Sequence, residues 1–249
     1  MNRIKEAIQI LKSGGVVVYP TDTAYGLAVD ATNPAAVKKL YQLKGRDFHN
    51  PIHVIPPTKD WIEKLVKLSP VAKKIIDRLM PGPLTLVLPL KAKGKPWQML
   101  SAGTNTLGIR RPKHKLALDL AMLLRKPITT TSANVSGQPN CYSVAEVKRQ
   151  FEPKLPHPRL RLRREAAGRL LSWKERGVLS GRKPKPDFYL DGGKLRKTRP
   201  STVVLIEDPT PGPSPIKGRG VLSRRESFHA KILRPGPISE SQIKRVISK

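Results

Sequence analysis

The sequence predicts an α/β fold in which helices flank a twisted, mixed β-sheet. Two observations favour this class: helical and strand patterns alternate early in the chain, and strand patterns cluster late in it. A third observation concerns function, because loops rich in hydroxyl groups follow several of the predicted strands. Open α/β sheets bind their ligands where strands end, so these loops form the candidate site.

The element boundaries follow from the pattern along the chain. Ile4, Ala7, Ile8 and Leu11 recur at helical spacing, which predicts an amphipathic first helix rather than a signal peptide. Ser143 and Ser239 each begin a capping-box pattern and predict helices near 144–151 and at the C-terminus. The other predicted helices are 3–12, 34–43, 59–66, 69–79 and 115–124. The predicted strands are 15–19, 26–29, 52–55, 84–89, 106–110, 127–131, 187–190, 201–206 and 229–234.

Composition limits the class of protein. The 249 residues are 38% hydrophobic and 5% aromatic, which is enough for a modest aliphatic core. The single cysteine, Cys141, excludes a disulfide framework and a cysteine-based zinc site, and it fits a reducing cytoplasm. No apolar run approaches the roughly 18 residues of a membrane span. We therefore expect a cytoplasmic protein without a membrane partner.

The formal net charge of +30 suggests a polyanionic partner such as RNA. Two segments, 155–186 and 209–227, contain 11 of these surplus charges, and the rest of the chain keeps +19. Both segments are rich in proline, glycine and arginine, and 174–182 recurs in similar form at 217–225. We predict one domain over residues 1–249 with two basic loop insertions, both expected to be disordered. The alternative is that the insertions are functional RNA-binding arms.

Five segments carry most of the polar chemistry. They combine hydroxyls, amides and single cations with little steric bulk, which suits the phosphates and hydroxyls of a small polar ligand. The chain has no P-loop, no GxGxxG turn and no HExxH pair. The five segments are Thr21–Leu27, Lys44–Pro51, Ser132–Gly137, Ser201–Val204 and Arg234–Gly236.

These segments, in this order, resemble those of the YrdC-like threonylcarbamoyl-AMP synthases, in a short single-domain form. The resemblance covers roughly residues 2–150 and resumes near Asp187. It implies a nucleotidyltransferase that converts L-threonine, bicarbonate and ATP to threonylcarbamoyl-AMP and pyrophosphate, for the t6A modification of tRNA. In such a reaction the carbamate of threonine attacks the α-phosphorus of ATP, and the protein positions the reactants and offsets negative charge.

The resemblance also implies roles for individual residues. Lys44 and Arg46 would be the catalytic pair, and Arg110 would hold the carboxylate of threonine, for which a bidentate guanidinium is well suited. The implied threonine pocket comprises Thr23, Arg110, Thr130 and Ser201. The implied ATP side comprises Arg46, Asn50, Thr106, Ser132, Asn134, Asn140 and Arg234. Mg²⁺ is expected to bridge the phosphates of ATP, although no carboxylate cluster marks a protein-built metal site.

Some features leave alternatives open. Asp22 is either a base or a carboxylate that caps its own loop. Some members of the family have a histidine that contacts threonine at the position where this chain has Ile55. His53, two residues earlier, is either a substitute for that histidine or a structural residue of the strand. A basic RNA-binding module without catalysis and a carbamoyl-transfer domain of the hydrogenase-maturation type are the alternative functions. The expected partners are the three substrates, together with tRNA or the t6A transferase complex.

Overall fold

A computed structural model of the chain describes residues 2–152, 184–207 and 229–248. Eight helices and nine strands lie within these ranges. The helices are α1 (Asn2–Lys12), α2 (Pro34–Lys44), α3 (Asp60–Leu65), α4 (Pro70–Leu79), α5 (Lys95–Leu100), α6 (Lys115–Leu124), α7 (Val144–Phe151) and α8 (Glu240–Ile247). The strands are β1 (Val17–Pro20), β2 (Tyr25–Ala28), β3 (His53–Ile55), β4 (Leu84–Pro89), β5 (Thr106–Arg110), β6 (Ile128–Ser132), β7 (Phe188–Tyr189), β8 (Thr202–Glu207) and β9 (His229–Arg234).

The nine described strands form one mixed sheet in the order β7-β1-β2-β6-β3-β5-β4-β8-β9. The central strand β6 pairs antiparallel with β2 on one side and with β3 on the other. Strands β3 and β5 are parallel, as are β4 and β8. The sheet therefore brings residues from distant parts of the chain to its centre, which confirms the predicted fold class.

Helices cover both faces of the sheet, and strand alternation explains how. Val17 and Tyr19 on β1 face a cluster formed with α1 and α6, whereas Val18 faces the larger cluster formed with α2 and α4. Successive side chains of a strand point to opposite faces, so each β1 residue serves one core. Both cores are mainly aliphatic, with a few aromatic side chains, and are fully buried at their centres.

The helix ends follow sequence signals. Asn33 caps α2 by accepting hydrogen bonds from the backbone N–H groups of Ala35 and Ala36, and Gly45 ends this helix in the left-handed conformation with φ 57°. Ser239 and Gln242 complete a reciprocal capping box at α8, as predicted.

One helix, α5, was missing from the sequence prediction. Its six residues follow Gly94, a breaker at φ 113°, and include Pro96, so no helical periodicity could be read there. The predicted insertions 155–186 and 209–227 lie outside the described residues, apart from positions 184–186. Within the described ranges, no helix combines the length and apolarity needed to cross a bilayer.

Candidate functional site

A cavity of about 190 Å³ lies where the β1–β2 connection, β6, β3, β5 and the start of β8 meet. Its wall contains three arginines and many hydroxyl groups, and no carboxylate is among the residues that line it in the described part of the chain. The lining residues are Thr21, Thr23, Ala24, Tyr25, Gly26, Arg46, Pro51, Ile52, His53, Arg110, Thr130, Thr131, Ser132, Asn140, Pro200, Ser201 and Arg234. Such a wall favours an anionic, hydroxyl-bearing ligand.

Arg110, the last residue of β5, is held in place by the β1–β2 connection. One of its terminal nitrogens, Nη2, donates to Thr23 Oγ1 at 2.8 Å and to Asp22 Oδ1. The other Asp22 oxygen accepts from the backbone N–H of Lys113 at 3.0 Å. Asp22 thus orients an arginine instead of capping its own loop. The buried Nε of Arg110 has no hydrogen-bond partner within the described residues.

Arg234, the last residue of β9, also lines the cavity. Its guanidinium donates to the carbonyl oxygen of Ser201 at 2.9 Å and to Ser201 Oγ at 3.1 Å. Ser201 is buried, and its hydroxyl also contacts Thr85 Oγ1 at 3.1 Å. Burial lowers the pKa of Arg234, and the charge of Arg110 lowers it further. The two guanidinium groups that line the cavity therefore repel each other electrostatically.

Arg46 and His53 form the third part of the wall. Arg46 follows the Gly45 cap and donates to the carbonyl oxygens of Asn50 and Pro51 at 3.1 and 3.0 Å. The ring of His53 packs against Gly108 so closely that a side chain with a Cβ atom at this position would overlap it. Burial lowers the pKa of His53 to about 3, and the charges of Arg234, Arg110 and Arg46 add to this effect. His53 is therefore neutral at physiological pH.

Lys44 does not reach the cavity wall. It is 1% exposed, and its ammonium group donates to the carbonyl oxygens of Ser132 and Asn134 and to Asn134 Oδ1, the last two at 2.8 and 3.1 Å. Ser132 Oγ donates to the same Asn134 Oδ1 at 2.6 Å. Burial lowers the pKa of Lys44 to about 7. Lys44 thus fixes the loop after β6, which in turn places Ser132.

Eight of the twelve residues assigned from the sequence line the cavity: Thr23, Arg46, Arg110, Thr130, Ser132, Asn140, Ser201 and Arg234. The other four lie behind or beside it. Lys44 and Asn134 support the loop, Asn50 contributes its backbone oxygen to Arg46, and Thr106 contacts Thr104 at 2.9 Å.

Two contributions to the site were not assigned from the sequence. The Asp22–Arg110 ion pair joins residues 88 positions apart, a separation for which the sequence offers no signal. His53 pairs with Thr130 in the β3–β6 ladder, so both side chains project from the same face. The alternation of side chains along β3 and β6 would place His53 beside Thr130 at the site, but only once the pairing of the two strands is known.

The described residues provide no group of three or more histidine, cysteine or acidic side chains that could hold a metal ion. The donors in the cavity are hydroxyls, amides and guanidinium groups, and Asp22 is occupied by Arg110. Because magnesium prefers carboxylate and phosphate oxygens, this wall does not fit a resident magnesium site.

The fold and this cavity define an α/β protein with a mixed sheet, in which a basic, hydroxyl-rich cavity suited to a small anion lies at the ends of the strands. Comparison with known proteins gives its family. The sequence model of the Sua5/YciO/YrdC domain, described as "Telomere recombination", matches residues 9–157. A putative threonylcarbamoyl-AMP synthase of Methanocaldococcus jannaschii is 32% identical over 208 residues, which is 82% of each chain. The chain therefore belongs to the Sua5/YciO/YrdC family, as the resemblance in its motifs indicated.

Two further comparisons concern longer proteins. The threonylcarbamoyl-AMP synthase of Bacillus subtilis is 41% identical over 139 residues, covering 55% of this chain and 40% of that protein. The crystal structure of Pyrococcus abyssi Sua5 complexed with L-threonine superposes with a TM-score of 0.72 at 28% identity. That match covers 98% of this chain and 57% of the Sua5 chain. The chain thus spans about half the length of these two relatives.

Proposed function

We propose that this chain is a threonylcarbamoyl-AMP synthase that joins L-threonine, bicarbonate and ATP and releases pyrophosphate. The observation that carries the proposal is the cavity wall, where three arginines and a row of hydroxyls face one space without a lining carboxylate among the described residues. Relatives with this activity in their names match 82% and 55% of the chain.

In this proposal Arg110 binds the carboxylate of L-threonine. Its Nη2 is held by Asp22 and Thr23, so the guanidinium is oriented at the cavity wall before the carboxylate arrives. Thr130 and Ser201 line the same cavity and can accept hydrogen bonds from, or donate them to, the substrate's amine and hydroxyl.

Arg46 and Arg234 bind the phosphates of ATP in this proposal, with Ser132 and Asn140 beside them. Each arginine is fixed by carbonyl oxygens, so its position is set before the substrate enters. Negative charge that develops on the α-phosphate as the carbamate attacks would be offset by these preset cations. The neutral His53 can hydrogen-bond without adding a charge. No protein nucleophile is needed for this displacement.

Two further elements belong to the proposal. Magnesium would enter bound to the phosphates of ATP, as part of the substrate. The product would serve the modification of tRNA, so tRNA or the enzyme that transfers the threonylcarbamoyl group is the expected macromolecular partner, in the cytoplasm.

The test is pyrophosphate release from ATP, with L-threonine and bicarbonate omitted in turn. We expect release to require both co-substrates and to fall at least a hundredfold in Arg46→Ala and Arg110→Ala. Arg245→Ala is the matched control, because this arginine is exposed on α8 and lines no part of the cavity. Release that ignores L-threonine would contradict the proposal. Absence of turnover alongside tight, salt-dependent RNA binding would favour the non-catalytic RNA-binding module.

A further inference from the structure

A basic segment, Lys194–Arg199, crosses the surface beside the cavity, and we call it the basic strap. It connects the region of β7 to the start of β8 without regular secondary structure. Four of its six residues are cationic and all four are exposed, whereas Leu195 and Thr198 are half-buried. The exposed cations are Lys194, Arg196, Lys197 and Arg199.

The strap is anchored along its length. Thr198 Oγ1 donates to the carbonyl oxygen of Thr23 at 3.1 Å, and the backbone N–H of Leu195 donates to the carbonyl oxygen of Tyr142 at 2.8 Å. Just before the strap, the carbonyl oxygen of Gly193 accepts from the hydroxyl of Tyr25 at 2.7 Å. Because the half-buried residues Leu195 and Thr198 are fixed by these hydrogen bonds, the backbone that carries the exposed cations has a defined position.

The strap brings together four cations whose charge no paired carboxylate offsets in the described part of the chain. On the described surface some other lysines do pair with carboxylates, as in Lys39–Asp187 and Lys115–Asp119. Within the ranges that the structure describes, no strap cation forms an ion pair or a side-chain hydrogen bond. Asp191, the nearest acid in sequence, accepts from the Tyr25 hydroxyl and from the backbone N–H of Gly193. The positive charges of the strap are therefore not paired with any carboxylate of the described residues.

The strap is continuous with the cavity. Pro200 and Ser201, which follow it directly, line the cavity wall. On its other side, Lys197 lines a groove together with Arg149, and Asn140 belongs to both this groove and the cavity. The groove's carboxylate, Glu146, is already bonded to the backbone N–H of Tyr142 at 2.6 Å.

We propose that the basic strap is a docking site for the phosphate backbone of an RNA. A six-residue extended segment spans at most about 20 Å, the length of several nucleotides. The exposed large apolar residues of the described chain lie elsewhere, so the strap lacks the apolar anchors typical of a protein interface. This inference deepens the proposed function and rests on it, since an RNA held here would lie beside the cavity where the adenylate forms.

Binding of a fluorescent, unmodified tRNA transcript tests the proposal by anisotropy across a salt series. The strap variant changes Lys194, Arg196, Lys197 and Arg199 to Gln in the full chain. The control variant changes Lys67, Lys73, Lys74 and Lys93 to Gln, four exposed cations near α4 that form no ion pair in the described ranges. Both variants lose the same net charge, so long-range electrostatics and the basic residues elsewhere contribute equally to both.

We expect the slope of log affinity against log salt to become shallower by about 3 in the strap variant, since each phosphate contact contributes about 0.7 to 0.9. Affinity at moderate salt should fall at least tenfold, with less than a threefold change in the control. Equal losses in the two variants would overturn the proposal. The absence of tRNA binding by the wild-type protein at low salt would also overturn it. In that case, binding of polyglutamate that is lost in the strap variant would indicate an acidic protein partner.

The pyrophosphate assay, run on the same preparations, separates this inference from the proposed function. Strap-dependent RNA binding without pyrophosphate release would refute the enzyme and keep the surface. Pyrophosphate release with equal RNA binding by both variants would keep the enzyme and refute the surface.

Discussion

Replacing Lys44 with methionine tests whether this lysine anchors the loop after β6 or acts in the cavity. Methionine keeps the apolar stem and helix propensity at the end of α2 but removes the ammonium group. Three oxygen atoms, on Ser132 and Asn134, then lose the ammonium group as a donor in a site that is 1% exposed. The Ser132 carbonyl oxygen keeps the N–H of Asn134, and Asn134 Oδ1 keeps the hydroxyl of Ser132. We expect the loop to be destabilised and Ser132 to lose its fixed position.

The magnitude follows from burial. An unsatisfied buried polar group costs about 1–3 kcal/mol, and removing a buried charge whose pKa is lowered by desolvation offsets part of this cost. We therefore expect Lys44→Met to lower the free energy of unfolding by about 1–3 kcal/mol. At about 2–4 °C per kcal/mol for a domain of this size, Tm would fall by about 2–12 °C.

Urea unfolding at pH 6, followed by tryptophan fluorescence, measures the change while Lys44 remains charged, since its pKa is lowered only to about 7. Lys39→Met is the control, because Lys39 lies on the same helix and makes a partly exposed ion pair with Asp187. That pair contributes about 1 kcal/mol or less. A Lys44→Met protein as stable as Lys39→Met but without activity would refute the anchoring role and indicate a catalytic one.

Three further predictions concern the cavity wall. Arg110→Lys should weaken L-threonine binding about 10- to 100-fold by calorimetry, since one charge-assisted hydrogen bond is worth about 1.5–3 kcal/mol, whereas Arg111→Lys should change it less than threefold. His53, with its pKa lowered from 6.5 to about 3, binds fewer protons in the folded than in the unfolded chain between these values. Its contribution therefore makes stability fall by up to about 1.4 kcal/mol per pH unit as pH drops through this window, and His53→Asn should flatten that slope in acid unfolding curves. Gly108→Ala should displace the His53 ring and lower kcat/KM with no change in charge, and wild-type activity in this variant would contradict the packing.

The sequence predicted the sheet well because its strands are β-branched and lie between clear breakers. Every predicted strand appears, three with the predicted bounds and the others with boundaries shifted by at most two residues, and β7 is shorter than predicted. Helix α5 was missed because it is only six residues long and starts beside Gly94 and Pro96. Short elements of this kind depend on tertiary packing, here of Trp97 and Leu100 in the core, and local pattern does not report packing.

The candidate site was predictable in residue type more than in arrangement. Motif order indicated Arg46, Arg110 and Arg234, and all three line one cavity. It could not indicate that Lys44 bonds to the loop after β6 while Arg46 lines the cavity, because the relative direction of two side chains separated by one residue depends on the turn between them. Here Gly45 ends α2 in the left-handed conformation between the two residues.

The arrangement of the arginines explains how one cavity could assemble two anions. Arg46 and Arg234 are held by neutral carbonyl oxygens, and a phosphate oxygen is a stronger acceptor for either guanidinium. Arg110 is paired with Asp22, so its charge is already partly offset, and the charges of Arg110 and Arg234 disfavour each other. An anion bound beside one of them lowers the positive potential that the next anion meets. We therefore expect the phosphates of ATP and the carboxylate of L-threonine to bind with negative coupling in equilibrium titrations, and positive coupling would contradict this account of the arginines.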